Sequence, residues 1–256
     1  DISVAKSLSN DVDTLIQYYN VGFGENAEVH ATCDGFASVR NGVIDSYNVT
    51  ITSGDISVNA KLEVGVKIND DNFPDDNFEA FALTKDTGKE GNDNGFLTAA
   101  ELHVVEEIDL RKNEENDTHE YKELKGIEHF AKLKKLICSN GSLDGTLDLS
   151  NNTELLSLVC HNNGIDNLIL FDAEKGTGCT KLSHLEVQWN ELITLDVSNC
   201  PALQALDCDM NKKMTTLVLT NQDRPQNTSL TSLYCYYNTK MTSLDVSGCT
   251  ALRTLW

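Results

Sequence analysis

The sequence is poor in basic residues and has no long apolar run. Lys and Arg total 20 against 40 Asp and Glu, which gives a formal net charge of −20. Such a field repels phosphate backbones and anionic lipid headgroups, so we expect neither nucleic acid nor a membrane surface as a partner. Because no segment approaches the roughly 20 consecutive apolar residues that cross a bilayer, we also expect no membrane insertion by this chain. Cations and basic protein patches are the partners that the charge favours.

Signatures of catalysis and of zinc binding are also missing. The eight cysteines include no C-x-x-C pair, which argues against a zinc knuckle. The chain is much longer than the small secreted domains in which cysteines form a disulfide framework. His161 is predicted on the outward side of a strand, away from the cysteines, so no nucleophilic Cys-His pairing is indicated. We therefore predict that the chain is not an enzyme.

What the sequence does contain is a repeat. A phrase of the form L-x-x-L-x-C begins at Leu133, Leu155, Leu203 and Leu230. A copy with valine in place of the cysteine begins at Leu182, and a shortened copy, "LRTLW", begins at Leu252. The successive spacings are 22, 27, 21, 27 and 22 residues. A second phrase follows about ten residues later in each repeat, such as "LDLS" at 147 and "LDVS" at 195 and 244. Each repeat therefore has two short apolar segments.

These two phrases resemble the leucine-rich repeats of bacterial surface proteins in their short form, with L-x-x-L-x-C-x-x-N followed by L-x-x-L-D-V-S. The resemblance covers residues 105–256 and implies a mainly β solenoid of about six turns. "VEEIDL" at 105–110 and "LKGIEHF" at 124–130 fit an earlier, degenerate turn. The resemblance also implies an extracellular or cell-surface location, with a targeting segment absent from the given chain, which begins at Asp1.

The repeat phase predicts the role of most cysteines. Period-two alternation along a strand points Leu133, Leu136 and Cys138 inward and the intervening Lys135, Ile137 and Ser139 outward. Cys160, Cys208 and Cys235 occupy the same slot as Cys138. Val187 fills that slot in one repeat, and valine can neither bridge, ligate nor attack, so we interpret the thiols as small apolar filler. Three further cysteines lie in turns just before the next strand: Cys179, Cys200 and Cys249.

An asparagine stands three residues after the cysteine slot in four repeats. Its side-chain amide is predicted to satisfy backbone groups of the turn that would otherwise be buried without a hydrogen bond. These asparagines are Asn163, Asn190, Asn211 and Asn238.

The segment before the repeats predicts a helix followed by a loop. In "NFPDDNFEAFAL" Pro74 is expected in the first helical turn, with Phe78, Phe81 and Ala82 on one face. "EGNDNGFLTAAE" then resembles a degenerate EF-hand calcium loop in which Gly95 makes the sharp turn. Thr98 and Glu101 alternatively form a capping box that needs no metal, in a helix-loop-helix that covers the end of the solenoid. The candidate calcium ligands are Glu90, Asn92, Asn94, Phe96 and Glu101.

These patterns divide the chain into three parts. Residues 1–68 are predicted to form a small β-rich module, with a helix possible over Val4 to Tyr19 and β segments from 27, 46 and 56. Residues 69–104 form the helix-loop-helix cap, and residues 105–256 form the solenoid.

In a solenoid the outward residues of the strands vary while the inward ones repeat, so we expect the outward residues to contact a ligand. Aromatic and acidic residues gather toward the last repeats, and such mixtures suit protein or sugar recognition. They equally serve to cover the edge of a sheet. The candidate binding residues are His161, His184, Glu186, Asp207, Asp209, Tyr234, Tyr236 and Trp256.

Three functions are compatible with the sequence. The first is a non-enzymatic adhesion module that binds a host protein or glycan through the sheet face. A second is a rigid spacer or anchor that presents another domain, which the ending at "LRTLW" inside a predicted strand favours. The third is a hydrolase using a carboxylate pair such as Glu186 and Asp207, although any acidic face offers such pairs.

Overall fold

The computed structural model describes residues 30–40, 43–53, 56–63, 65–86, 95–111, 120–220 and 227–256. The chain divides into two compact units, one of residues 1–66 with 98–100, the other of residues 67–97 with 101–256. The helix expected between Val4 and Tyr19 lies outside the described residues. No helix within the described ranges is long and apolar enough to span a bilayer.

The first unit contains a three-stranded antiparallel sheet. Its strands are β1 (His30–Arg40), β2 (Val43–Ser53) and β3 (Ile56–Glu63), in the order β1-β2-β3. The pairing of β1 with β2 is irregular after Cys33, where the register shifts. The β segments predicted in this region are thus strands.

Short elements follow before the repeats: β4 (Gly65–Lys67), α1 (Asp76–Leu83), β5 (Phe96–Thr98) and α2 (Ala99–His103). The prediction that Pro74 stands inside the first helical turn is wrong. Asp75 is the N-cap of α1, and its side chain accepts the N–H groups of Asn77 and Phe78 at 3.0 and 2.9 Å. An aspartate satisfies the open N–H groups at this position, and so the helix begins after it.

Helix α1 packs on the start of the repeat region in the second unit. Phe73 and Phe78 are fully buried, and the rings of Phe78 and Phe130 lie 6.4 Å apart. Gly126 has φ +103°, and a Cβ there would overlap the Phe73 ring, so glycine is required where the two segments meet. The other oxygen of Asp75 accepts the N–H of Lys122 at 2.7 Å. Phe73 and helix α1 therefore cover this end of the apolar core. The helix-loop-helix cap over residues 69–104 as a whole stays a prediction.

The repeats wind into a coil with two parallel sheets. Every first phrase contributes a strand of two or three residues to a seven-stranded sheet, in which β6 is the degenerate turn predicted at 105–110. These strands are β6 (Glu107–Asp109), β7 (Lys135–Ile137), β9 (Ser157–Val159), β13 (His184–Glu186), β15 (Ala205–Asp207), β17 (Ser232–Tyr234) and β18 (Thr254–Leu255).

The second phrases form a four-stranded parallel sheet in the order β16-β14-β10-β8. Its strands are β8 (Asp144–Asp148), β10 (Gly164–Ile169), β14 (Thr194–Asp196) and β16 (Thr216–Val218). The phrase at 244 forms no strand. A 3₁₀ turn covers Ile127–His129, and β11 (Phe171–Asp172) pairs antiparallel with β12 (Thr177–Gly178).

The core lies between the two sheets and repeats with the sequence. Leu136, Leu158, Leu185, Leu206 and Leu233 are aligned in the register of neighbouring strands and are fully buried. Since each turn covers the leucines of the next, the core is continuous along the axis of the coil. This architecture is a leucine-rich repeat solenoid, as the sequence predicts.

Two residues expected on the outward side are buried. Ile137 points outward from β7, but its register neighbours Asp109 and Val159 flank it on both sides and cover it. Ser139 is buried because β7 has already ended at Ile137, so strand alternation no longer sets its direction.

The cysteines are filler in two columns of the core. Cys138, Cys160, Cys208 and Cys235 are buried in the slot that Val187 shares. None of the seven cysteines with described side chains is in a disulfide. Burial raises the pKa of Cys179 and of Cys200 to about 12, so both thiols stay neutral and unreactive near neutral pH.

The second column sits three residues before each phrase, where the chain turns into the strand. Its members are Phe130, Asn152, Cys179, Cys200, Asn227 and Cys249, all buried. Phenylalanine, asparagine and cysteine all occur at this position, so it requires neither a charged side chain nor a metal ligand. It is a packing position at which the backbone geometry is fixed and the identity of the side chain is not.

The predicted asparagine ladder is confirmed by its hydrogen bonds. Asn211 is fully buried; its amide donates to the carbonyls of Val187 and Cys208, both at 3.0 Å, and its oxygen accepts the N–H of Leu192 at 3.3 Å. Asn190 repeats this pattern one turn earlier, donating to Cys160 and Val187. Each asparagine therefore ties its own turn to the preceding one.

The residue just before each ladder asparagine position has a left-handed backbone. These residues have φ between 56° and 59°, and none is glycine: Asn140, Asn162, Trp189, Met210 and Tyr237. Bulky residues seldom adopt this conformation. Backbone bonds between turns hold it here, since Trp189 N–H donates to Asp209 at 3.1 Å and Met210 N–H to Tyr236 at 3.0 Å.

The aspartate of the second phrase also has a structural role. The carboxylates of Asp148, Asp196 and Asp245 each accept the N–H of the serine two residues later at 2.9 Å. In such a turn a single aspartate side chain supplies the hydrogen bond that stabilises the change of chain direction. It explains why L-D-x-S ends these segments.

We predict that Asn211→Ala lowers the free energy of unfolding by about 2 to 4 kcal/mol, because it leaves the buried Leu192 N–H without a partner and removes two buried amide hydrogen bonds. The Val187 and Cys208 carbonyls that accept those two bonds keep the amides of Asn190 and Asn238. Urea denaturation followed by circular dichroism measures the loss. Asn167→Ala is the matched control, since Asn167 is exposed and donates only to the Thr146 hydroxyl; it should change stability by less than about 0.5 kcal/mol. Equal losses in both variants would contradict the ladder's role.

We also predict that Cys160→Val costs less than about 1.5 kcal/mol, because Val187 already fills the equivalent slot. Cys160→Ser should cost about 1 to 3 kcal/mol, because it buries a hydroxyl among apolar neighbours. The same denaturation measurement compares the two. A serine variant as stable as the valine variant would show that the slot is not an apolar packing position.

Candidate interaction face

The outward side of the seven-stranded sheet, hereafter the outer face, carries three rows of side chains. One row runs through the last strand position and aligns Glu186, Asp207 and Tyr234 in the register of β13, β15 and β17. Trp256 follows Leu255 of β18 directly and continues this row, since Cys235 N–H donates to its carbonyl at 2.9 Å. The other two rows include His184 at the first strand position and His161 two residues beyond the end of β9.

At the β6 edge of the outer face, charges are paired. The nitrogens of Lys134 and Lys135 lie 2.7 Å from oxygens of Glu106 and Glu107, respectively. Arg111 binds the Asp109 carboxylate with a shortest distance of 2.6 Å. The Arg111 hydrogen bond lowers the pKa of Asp109. Each carboxylate here has its own basic partner.

The centre of the face carries carboxylates with a different environment. His184 Nε2 lies 2.7 Å from Glu186 Oε1, and both side chains are partly exposed. Burial raises the pKa of Asp207, and the nearby charge of Glu186 raises it further. The N–H of Asp209 and the imidazoles of His161 and His184 oppose this shift. The structure therefore brings four of the predicted residues together: His161, His184, Glu186 and Asp207.

Asp209 differs from the prediction that it faces a ligand. It is only 7% exposed. Its carboxylate accepts the backbone N–H of Tyr236 at 2.7 Å, which fixes the chain of the next turn. Burial raises the pKa of Asp209 to about 6, and the charge of Asp207 adds to this while the Tyr236 hydrogen bond opposes it. Its hydrogen bond to the next turn therefore holds the carboxylate against the backbone instead of presenting it to a ligand.

Aromatic side chains lie exposed beside these acids. Tyr234 and Tyr236 are partly exposed, Tyr237 is 60% exposed and Trp256 is 72% exposed. The rings of Tyr236 and Tyr237 meet edge to face with their centroids 5.1 Å apart. Exposed aromatic rings concentrated on one face are unusual for a surface that only meets water.

Sequence reasoning missed Trp189. Its side chain is 52% exposed, and it occupies the same left-handed position as Met210 and Tyr237. The signal was present, because "QWN" at 188–190 aligns with "YYN" at 236–238 on the ladder asparagine. Strand alternation could not find it, since the residue lies beyond the strand.

The predicted calcium loop is described only in part. Glu90, Asn92 and Asn94 lie outside the described residues. Gly95 has φ +74°, and its N–H donates to Asp86 at 2.8 Å, so the chain turns sharply there. Phe96 begins β5, and Glu101 lies in α2, whose first residue follows Thr98. Calcium binding and the capping box both stay predictions; the described residues hold no group of three metal-ligating side chains.

Two of the repeats span 27 residues because they carry insertions at 171–180 and 220–229. The first insertion forms a small hairpin. Phe171 and Asp172 pair with Gly178 and Thr177, and Lys175 lies 2.9 Å from the Asp172 carboxylate. In the second insertion, residues 221–226 lie outside the described residues.

Comparison with known proteins gives distant likenesses. No protein-family model and no curated protein matches the sequence, whereas 43 chains of solved structures do. One is the functional domain of InlJ from Listeria monocytogenes, which includes a cysteine ladder; identity is 29% over 75% of this chain and 43% of that one, with a TM-score of 0.45. An internalin of the same species, InlF, is 17% identical over 75% and 71% of the two chains, with a TM-score of 0.29.

The chain spans less than half of the InlJ domain that it matches. The assignment as a leucine-rich repeat solenoid therefore rests on the leucine, cysteine and asparagine columns of this chain itself.

The raised pKa of the Asp209 carboxyl leads us to expect that the free energy of unfolding depends on pH. Because its folded pKa of about 6 lies above the unfolded value near 4, the folded state binds more protons between these values, and stability falls as pH rises through this window. Asp209→Asn keeps an acceptor for the Tyr236 N–H and removes the charge. We predict that the variant gains about 1 to 3 kcal/mol over the wild type between pH 4 and pH 7, measured by urea denaturation across that range. A constant difference would contradict the raised pKa.

Proposed function

We propose that this chain is a non-enzymatic recognition module that acts outside a bacterial cell and binds a host protein or glycan through its outer face. The observation that carries this proposal is the exposure of Tyr234, Tyr236, Tyr237, Trp189 and Trp256 around the acids of one sheet face. Tyr and Trp combine a large apolar surface with a polar tip, which is why they are enriched where proteins meet partners.

The remainder of the solenoid supports recognition rather than chemistry. The cysteines with described side chains are buried and form no disulfide, and the described residues contain no cluster of three metal-ligating side chains. Asp207 and Glu186 are adjacent carboxylates, yet they sit on an open sheet face rather than in a cleft that excludes water, which a hydrolase of this kind uses. The location outside a bacterial cell is supported by the resemblance of the repeat phrases to those of bacterial surface proteins.

The test is a screen of the chain on arrays of host matrix proteins and glycans, with the triple variant Tyr234→Ala, Tyr236→Ala and Trp256→Ala. We expect at least one specific signal from the wild type, reduced about tenfold or more in the variant, because aromatic anchors dominate such interfaces.

The matched control replaces three exposed apolar residues outside the seven-stranded sheet, Leu83, Val104 and Ile193, with alanine. This triple variant should bind as the wild type does. Unchanged binding by the aromatic variant would remove the outer face as the site. The absence of any signal from the wild type would favour the alternative of a rigid spacer or anchor.

A further inference from the structure

Carboxylates on the outer face fall into two groups that differ in their partners. At the β6 edge, Glu107 and Asp109 are neutralised by Lys135 and Arg111 at 2.7 and 2.6 Å. Glu186 and Asp207 stand on the same face, and within the described residues no lysine or arginine lies within ion-pair distance of either. Glu186 has only the His184 imidazole, which carries a charge only when protonated, and Asp207 accepts only the N–H of Asp209 at 3.2 Å.

Equivalent positions make the contrast sharper. Asp109 and Asp207 both occupy the last position of their strands, and both carboxylates accept the N–H two residues later. The local backbone is therefore the same, and the difference is the missing cation. Asp109 has Arg111 at this place, whereas the corresponding residue after Asp207 is the buried, acidic Asp209.

Aromatic rings border the unpaired acids. Tyr234 is the register neighbour of Asp207, and Trp256 lies one turn further in the same row. Trp189 and Tyr237 stand beyond the strand ends. A cation is attracted both by carboxylates and by the faces of Tyr and Trp rings, so both kinds of neighbour favour the same ligand charge. We call Glu186, Asp207, Tyr234, Tyr236 and Trp256 the acid-aromatic patch.

We propose that the acid-aromatic patch binds a lysine- or arginine-bearing segment of a partner protein. This inference rests on the proposed function and specifies the partner's chemistry. The net charge of −20 attracts such a segment over long range, and the patch gives it unpaired carboxylates and rings at contact.

Other occupants fit the patch less well. A bare metal ion requires several ligands in a tight set, and the described residues contain no such group. A neutral glycan stacks on the rings but leaves the charges of Glu186 and Asp207 uncompensated. A guanidinium or ammonium group satisfies both the acids and the rings.

The chain provides a matched pair of variants for the test. Glu186→Gln with Asp207→Asn removes two charges from the patch, and Glu107→Gln with Asp109→Asn removes the same two charges from the paired edge of the same face. The amide at 207 or 109 still accepts the N–H that the carboxylate accepted. Both variants therefore change the total charge equally and differ only in place.

The probe is a short fluorescent arginine-rich peptide, and its counterpart has citrulline, a neutral isostere, in place of arginine. Fluorescence anisotropy at about 0.15 M salt, where the field is screened beyond about 8 Å, gives the two dissociation constants. We expect the wild type to prefer arginine about tenfold or more, the patch variant to lose this preference, and the edge variant to keep it within about twofold.

Each other outcome is decisive. Equal losses in the two double variants would show that binding follows total charge, and equal binding of the arginine and citrulline peptides would show no cation preference; either result overturns the inference. A glycan signal on the arrays that is lost in the aromatic triple variant but unchanged in Glu186→Gln with Asp207→Asn would also overturn it, while leaving the proposed recognition function in place.

Discussion

Stacking of leucines between successive turns is the interaction on which the rest of this structure depends. A single turn has about two apolar phrases and cannot enclose its own side chains, so its stability comes from the neighbours on either side. Leu158, Leu185 and Leu206 are buried because each is covered by the next. At the β6 end the covering is supplied by α1 through Phe78 and Phe130 rather than by another repeat.

Close stacking imposes a second requirement, which is the hydrogen bonding of backbone groups that the turns carry into the interior. The ladder asparagines satisfy it with one amide for two carbonyls, as Asn211 does between Val187 and Cys208. This bonding also fixes the backbone beside it. The preceding residue is held in a left-handed conformation even when it is tryptophan or tyrosine, and those rings are consequently directed to the surface.

A regular interior leaves the outer face available for variation. Residues on the outward side meet no packing requirement from the core, so neighbouring turns can carry ion pairs at one edge and unpaired acids with aromatics further along. The proposed recognition of a cationic segment uses this freedom. The Asp209 carboxylate lies between the regular interior and the variable outer face. It is buried and accepts a hydrogen bond from the backbone N–H of Tyr236, and it stands beside Asp207 of the outer face.

The sequence by itself determined the coil, the inward leucines, the cysteine slot and the asparagine ladder, because these depend on a period that every repeat restates. It also placed Tyr234, Glu186 and Asp207 on one face through strand alternation. Alternation holds only within a strand, and the strands here have at most three residues in the seven-stranded sheet. Whatever lies beyond a strand end was therefore decided by the tertiary structure: the burial of Ser139 and Asp209, the exposure of Trp189 and the start of α1 after Asp75. Pairing of charges was also decided there, since it depends on which turns stand side by side. The physical reason is that a repeat fixes what each turn presents to its own axis, whereas contacts between turns fix what reaches the solvent.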